Sequence, residues 1–94
     1  MYVRWMIRRD MAEVLNIEQS YQHAWKEEDF LRALRQRNCI GMVMEDNEVI
    51  LGFMVYLLHE KRLELVNLAV HQAWLRRGIG SKLIGKLMEK LSGH

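Results

Sequence analysis

Apolar and polar residues change their spacing several times along this chain, and each change marks an element. VRWMIR at residues 3–8 reads as a first strand. Asp10, with Glu13 three positions on, has the form of a capping box. It predicts a helix running to about Tyr21, with Val14, Leu15 and Ile17 as its apolar side. In KEEDFLRALRQR the acids come early and the arginines late, which suits the helix macrodipole, and Phe30, Leu31 and Leu34 form one stripe; this is a second predicted helix. Cys39 to Met44 and Val49 to His59 are strand-like on either side of the polar turn EDNE and predict a hairpin, although the residues leave its turn type open. Leu63 to Val70 follows the short turn EKR and is nearly all apolar after Glu64, the pattern of a strand covered on both faces. Then the period lengthens. Ile79, Leu83, Ile84, Leu87, Met88 and Leu91 recur at spacings of three and four, so residues 79–91 form an amphipathic helix ending at Gly93. The predicted order is βααβββα.

Composition narrows the classes. Ninety-four residues, half of them apolar, make one domain over 1–94 with a modest core, and the absence of proline, repeats and low-complexity tracts leaves no linker. No apolar run reaches the roughly 20 residues that span a bilayer, and MYVRWMIRRD is charged rather than a secretion signal. The expectation is a soluble, cytoplasmic protein with no membrane partner. Cys39 is the single cysteine, with no Cys/His cluster at metal-ligand spacing, so neither a disulfide framework nor a metal site is expected. A net charge of +2 does not by itself argue for nucleic acid. Its distribution does more: from His71 onward Arg76, Arg77, Lys82, Lys86 and Lys90 face Glu89 alone, which favours a local anion.

The chemistry concentrates in HQAWLRRGIGS, between the apolar strand LELVNLAV and the last helix. Glycines let backbone N–H groups approach a phosphate, the unpaired N–H groups of a first helical turn point at it, and Arg76 and Arg77 add charge. The plainer alternative is a surface loop whose glycines only make the turn. Two nucleotide fingerprints fail here. In G-x-G-x-x-G the third glycine is replaced by Leu83; in G-x-x-x-x-G-K-[ST], Gly80 to Lys86 fits but Leu87 replaces the magnesium-holding hydroxyl, and Gly85-Lys86 falls inside the helix.

Leu68-Ala69-Val70 followed by Arg76-Arg77-Gly78-Ile79-Gly80-Ser81 resembles motif A of the GNAT superfamily of N-acetyltransferases, and the βααβββα order resembles the first half of that fold. Within it the chain is most similar to the ribosomal-protein-alanine N-acetyltransferase branch, through IRRDMAEVLNIEQ, Trp25, Phe30 and NLAV. The resemblance implies an α/β (α+β) fold with a GNAT-like mixed sheet, truncated after the motif A helix. It implies acetyl-CoA as cosubstrate, without a metal. Backbone groups of Leu68, Ala69 and Val70 would pair with the pantetheine arm, and amides from Arg76 to Ser81 would hold the pyrophosphate. The acceptor would be a primary amine, the α-amine of a protein N-terminus such as that of a ribosomal protein.

Two departures matter. Leu75 stands where the family motif has a polar residue, which implies weaker cofactor binding but leaves the backbone cradle. The family's proposed general base and acid lie beyond the motif helix, where this chain has ended. Glu64, in the strand where histone-type relatives carry a glutamate base, is one candidate base if burial raises its pKa; the competing reading is an exposed strand-end charge near Lys61 and Arg62. Glu18 on the first helix is a candidate for orienting substrate, or else merely solvated. His23 and His71 have no Ser or Cys partner placed by a motif; Trp25 and Trp74 could line a peptide groove but read first as packing residues, as do Tyr21 and Tyr56. A second reading is a catalytically incomplete module that binds coenzyme A and dimerises through the exposed edge of strand 63–70. A nucleic-acid-binding domain ranks last, since no aromatic RNA-binding motif supports it.

Overall fold

Residues apolar at consecutive strand positions need cover on both sides of a sheet. The structure, a computed structural model describing residues 1–92, meets that need with helices on both faces of one sheet. The elements are β1 (Tyr2–Trp5), α1 (Met11–Glu18), α2 (Glu27–Leu34), β2 (Cys39–Asp46), β3 (Val49–Leu58), β4 (Leu63–Val70) and α3 (Ile79–Ser92). Short 3-10 turns at Arg8–Asp10 and Gln72–Trp74 precede α1 and α3. The strands lie in the order β1-β2-β3-β4.

One face packs on α1 and α2: Met11, Val14, Ile17 and Phe30 meet Val43, Ile50, Phe53, Val55 and Ala69. Trp25 stands edge-on to Phe30, which stands edge-on to Phe53, with ring centroids 5.0 and 5.5 Å apart. The other face packs on α3, where Ile79, Leu83 and Leu87 cover Met42, Met44, Leu51, Met54, Tyr56 and Val70. Each such side chain contributes about 1.5–3 kcal/mol by leaving water. Between Met44 and Glu45 the β2–β3 register shifts past Leu51, so Leu51 and Gly52 both turn toward α3.

The βααβββα order agrees with the sequence reading, while several boundaries move for identifiable reasons. Every strand pairing among the described residues is antiparallel, so the expected mixed sheet shows no parallel pair there. The first strand stops at Trp5 rather than residue 8, because Asp10 accepts the Ile7 N–H at 2.8 Å and winds the chain into a turn. Asp10 and Glu13 do not form the expected capping box. Asp10 is taken by Arg4, and Glu13 reaches across to accept the Ile50 N–H at 3.2 Å. Helix α1 ends at Glu18, short of Tyr21, where the Tyr21 N–H turns back to Glu18 O. The open turn type is resolved: Asn47 and Glu48 have φ of 49° and 67°, a two-residue turn of the I′ kind, with Glu48 in a position that favours glycine. Helix α3 runs to Ser92; its expected end at Gly93 lies outside the described residues.

The largest correction concerns β4. It is an edge strand, and Glu64, Leu65 and Val66 are exposed while only Ala69 and Val70 are buried. On the α1 side only Ala69 joins the core, and on the α3 side Leu63 and Leu68 are only partly covered, so apolar sequence was not matched by cover. None of the described helices is long and apolar enough to cross a membrane.

Candidate functional site

The C-terminal half of β4 delivers the chain into residues 71–78, and this loop is tightly organised. The His71 N–H donates to Leu51 O at 2.8 Å, and its ring Nδ1 accepts the Ala73 N–H at 3.0 Å, so His71 caps the 3-10 turn that follows. Trp74 is half-buried against the α3-side core, and the Arg77 guanidinium lies 5.1 Å from its ring centroid. Arg76 and Gly78 both adopt left-handed backbone, at φ of 64° and 77°. These two reversals turn the chain so that α3 begins over the end of β4. A Cβ built on Gly80 would lie 3.9 Å from a Val70 methyl and 4.0 Å from a Leu68 methyl, which fixes that juxtaposition.

The Lys82 N–H, bonded to Gly78 O at 3.0 Å, opens the ladder of α3. The amides of Ile79, Gly80 and Ser81 therefore precede the first intrahelical bond and point out of the helix end. Arg76, Arg77, Gly78 and Ser81 are exposed, whereas the Ile79 side chain is buried in the core and offers only its backbone. The helix terminus and its run of free amides, with the exposed Arg76 and Arg77 just before it in the chain, are suited to an anion. Leu75, at 43 % exposure, points out to solvent beside it.

The β4 edge next to this terminus has a more specific state than the sequence suggested. The Tyr21 hydroxyl donates to Val70 O at 2.7 Å and accepts the Val70 N–H at 3.3 Å. Both Val70 groups thus face away from β3, and by strand alternation those of Leu68 do too, while the Ala69 groups turn inward to its partner Phe53. Of the three residues expected to pair with a ligand arm, two present edge groups and one does not. A bulge at Val66, where the register shifts between Val55 and Tyr56, precedes this stretch.

Glu18 is not solvated. It is 5 % exposed, and its Oε2 accepts the Trp25 N–H at 2.9 Å and the Asn67 side-chain amide at 3.0 Å. Glu18 thereby ties α1, the following loop and β4 together beside the free edge. Glu64 has the opposite surroundings from those a base needs. Its side chain is 47 % exposed, bonded to His59 Nε2 at 2.9 Å and 3.6 Å from Arg62 Nη1, and the His59 hydrogen bond with the nearby Arg62 charge holds its pKa below the usual carboxylate range. It also lies about 20 Å along the strand from Val70, at roughly 3.3 Å per residue.

Sequence reasoning missed Tyr21 and the capping role of His71. Both act through contacts between residues far apart in the chain or through a ring nitrogen's orientation, and neither leaves a spacing signal. Among the described residues no group of three or more His, Cys, Asp or Glu side chains could hold a metal ion. Burial pushes the Cys39 thiol pKa up, and the side chain packs against the α1-side core.

The comparisons with known proteins are consistent with this geometry. The family described as Acetyltransferase (GNAT) matches residues 4–94. The ribosomal-protein-S18-alanine N-acetyltransferase from Escherichia coli superposes with a TM-score of 0.87 at 21% identity, over 96% of this chain and 58% of that one. Ard1 from Thermoplasma volcanium gives 0.85 at 21% identity over 98% and 64%. An aminoglycoside 6'-N-acetyltransferase complexed with coenzyme A gives 0.80 at 15% identity over 99% and 56%. The chain thus spans little more than half the length of the first and last of these. At such identities the likeness is one of fold. No curated protein matches the chain in sequence.

Proposed function

The chain belongs to the GNAT acetyltransferase family, and from that premise we propose that residues 1–94 act as one N-acetyltransferase domain that uses acetyl-CoA to acetylate a primary amine. The observation that carries the reading is the start of α3 over the end of β4, which brings an anion-binding terminus beside a free strand edge. Pyrophosphate and an amide-bearing arm joined in one molecule would use both. Amides of Ile79, Gly80 and Ser81 would hold the pyrophosphate, with Gly78 supplying the turn and Arg76 and Arg77 the charge. The outward groups of Leu68 and Val70 would hold the arm by strand addition, with Ala69 keeping β4 in register with β3.

When bound, acetyl-CoA supplies an acetyl group as a thioester. The chain's own part is to bind and orient. Glu18 would orient the acceptor, a role supported by a buried carboxylate that reaches the bulged part of the β4 edge through Asn67. As a candidate base Glu64 is less well supported, being exposed, hydrogen-bonded to His59 and close to Arg62. The finer reading is that the acceptor is a protein N-terminal α-amine, possessed by a ribosomal protein in the cytoplasm. Its support is the similarity to the ribosomal-protein-S18-alanine N-acetyltransferase and the motif-by-motif resemblance of residues 7–19 and 67–70.

Calorimetry with acetyl-CoA tests the binding half. Wild type binds, and Arg77→Glu and Gly80→Asp each weaken binding at least tenfold by placing negative charge at the cradle; a Cβ at Gly80 meets the Val70 and Leu68 methyls at ordinary contact distance, 3.9 and 4.0 Å. Wild type without measurable binding refutes the proposal. Mass spectrometry of an alanine-terminated peptide incubated with acetyl-CoA and the chain tests transfer.

A second reading is favoured by one observation. Among the described residues no strand pairs with the outer edge of β4, and Leu65 and Val66 are exposed on it at 42 % and 37 %. In that reading the chain binds coenzyme A and pairs with a second copy along residues 63–70. Light scattering at the mass of a dimer supports it, and a monomeric mass refutes it.

A further inference from the structure

The Tyr21 hydroxyl makes a matched pair of bonds to one residue. It donates to Val70 O and accepts from Val70 N–H, at 2.7 and 3.3 Å. An edge residue of a strand offers its neighbour one acceptor and one donor, and a neighbouring strand answers with the amide groups of its own backbone. A phenol, like the hydroxyls of Ser and Thr, can both donate and accept at one atom. Tyr21 therefore occupies on β4 the place of a neighbouring strand's donor and acceptor.

We propose that Tyr21 is a specificity-determining residue of the β4 edge: it closes Val70 to molecules without a paired donor and acceptor, and is displaced by an extended molecule that carries secondary amides. The identity of that molecule as coenzyme A, whose pantetheine arm carries such amides, rests on the function proposed above. The selection rule itself rests on the two bonds. An ether, ester or alkyl chain would leave the Val70 N–H or C=O without the partner that the phenol supplies, whereas two successive secondary amides, one turning its C=O and the other its N–H to the edge, replace both bonds.

The surroundings allow the exchange without unfolding. The backbone of Tyr21 is anchored by its N–H to Glu18 O at 3.0 Å, and the far end of the same loop is anchored by the Trp25 N–H on the Glu18 carboxylate. Asn67 binds that carboxylate to β4. The loop is thus fixed at two points on one buried residue, and the Tyr21 ring, 37 % exposed, has a solvent side into which it can rotate. Rotation about the side-chain bonds alone removes the hydroxyl from Val70. His23, two residues on, holds left-handed backbone at φ 58°, which bends the loop back toward Trp25.

The proposal separates ligands by chemistry. ADP carries the pyrophosphate and no amide, so it uses the α3 terminus and leaves Tyr21 in place. Coenzyme A uses the terminus and must also displace Tyr21.

The test measures coenzyme A and ADP binding by calorimetry in wild type, Tyr21→Phe and Tyr21→Ala, together with hydrogen exchange at the Val70 amide by NMR without ligand. Tyr21→Phe keeps the ring and deletes the hydroxyl; Tyr21→Ala clears the edge. The expected result is coenzyme A bound about tenfold more tightly by the variants, the factor set by a net hydrogen bond no longer displaced. ADP affinity stays within about twofold, and Val70 exchange accelerates about tenfold. Coenzyme A and ADP affinities that shift by the same factor overturn the proposal, as does Val70 exchange unchanged in both variants. If coenzyme A binds none of the three proteins, the coenzyme reading fails on its own account, and the exchange rates still decide whether Tyr21 holds Val70.

Discussion

Substitution of Gly52 tests how the sheet seats the helix that carries the candidate site. Gly52 lies in β3 under the first turns of α3. A Cβ there would stand 3.0 Å from Ala69 O, 3.2 Å from an Ile79 methyl and 3.4 Å from a Leu83 methyl. The first contact is the severe one, because a carbonyl in the β3–β4 ladder cannot move without opening that pairing. Ile79 and Leu83 are 1 % and 0 % exposed, so neither has free volume to move into. In Gly52→Ala the loss of chain entropy in the unfolded state offers about 0.5–1 kcal/mol of stabilisation, set against overpacking of about 1–3 kcal/mol. The expected net is a loss of about 1 kcal/mol. Gly52→Val adds two more methyl groups at the same place and should lose about 3 kcal/mol, much of the stability of a small domain. Urea unfolding followed by circular dichroism reads both values, with an unchanged m-value expected. Because Ile79 opens α3, coenzyme A affinity should fall in Gly52→Ala even at urea-free stability. A Gly52→Ala protein as stable as wild type would refute the close-approach argument, since it would mean that α3 is free to ride outward.

Two further substitutions probe buried polar groups. Arg4 bonds both oxygens of Asp10 at 2.8 and 2.9 Å and Glu45 at 2.7 Å, and the Arg4 hydrogen bonds hold the Asp10 pKa below the usual carboxylate range. The unfolded chain therefore takes up this proton first as pH falls, so the contribution of Asp10 is complete above about pH 5 and is lost progressively as pH falls from the unfolded value near 3.9 through the lower folded one. Asp10→Asn should cost about 2 kcal/mol at pH 7 and flatten the acid limb of stability against pH; an unchanged limb in urea melts from pH 5 to pH 2 would count against the pair. Tyr56 is fully buried on the α3 side, and its hydroxyl has no partner among the described residues. Tyr56→Phe should stabilise the protein by about 1 kcal/mol by removing an unpaired polar atom, and a lower thermal midpoint would show that the hydroxyl is satisfied.

The amino-acid sequence by itself determined the elements and their order. Helix α3 was legible because its apolar residues repeat at helical spacing, and β2 and β3 because apolar runs bounded by polar turns have few alternatives. The start of α3 just after Arg76, Arg77 and Gly78 was legible too, since those residues stand together before the helical period begins. Tertiary structure decided everything that joins distant segments. Asp10 and Glu13 have the spacing of a capping box, but a carboxylate goes to the strongest donor within reach, and folding brought Arg4 to one and the Ile50 N–H to the other. The apolar run of β4 was read as buried on both faces, whereas its place at the sheet edge left half of it in water. Burial of Glu18 and exposure of Glu64 reversed the order in which the two acids deserve notice, because local sequence carries charge but not surroundings. Tyr21 and Val70 are 49 positions apart, and only the packing of α1 beside β4 could set a phenol on that strand's open edge.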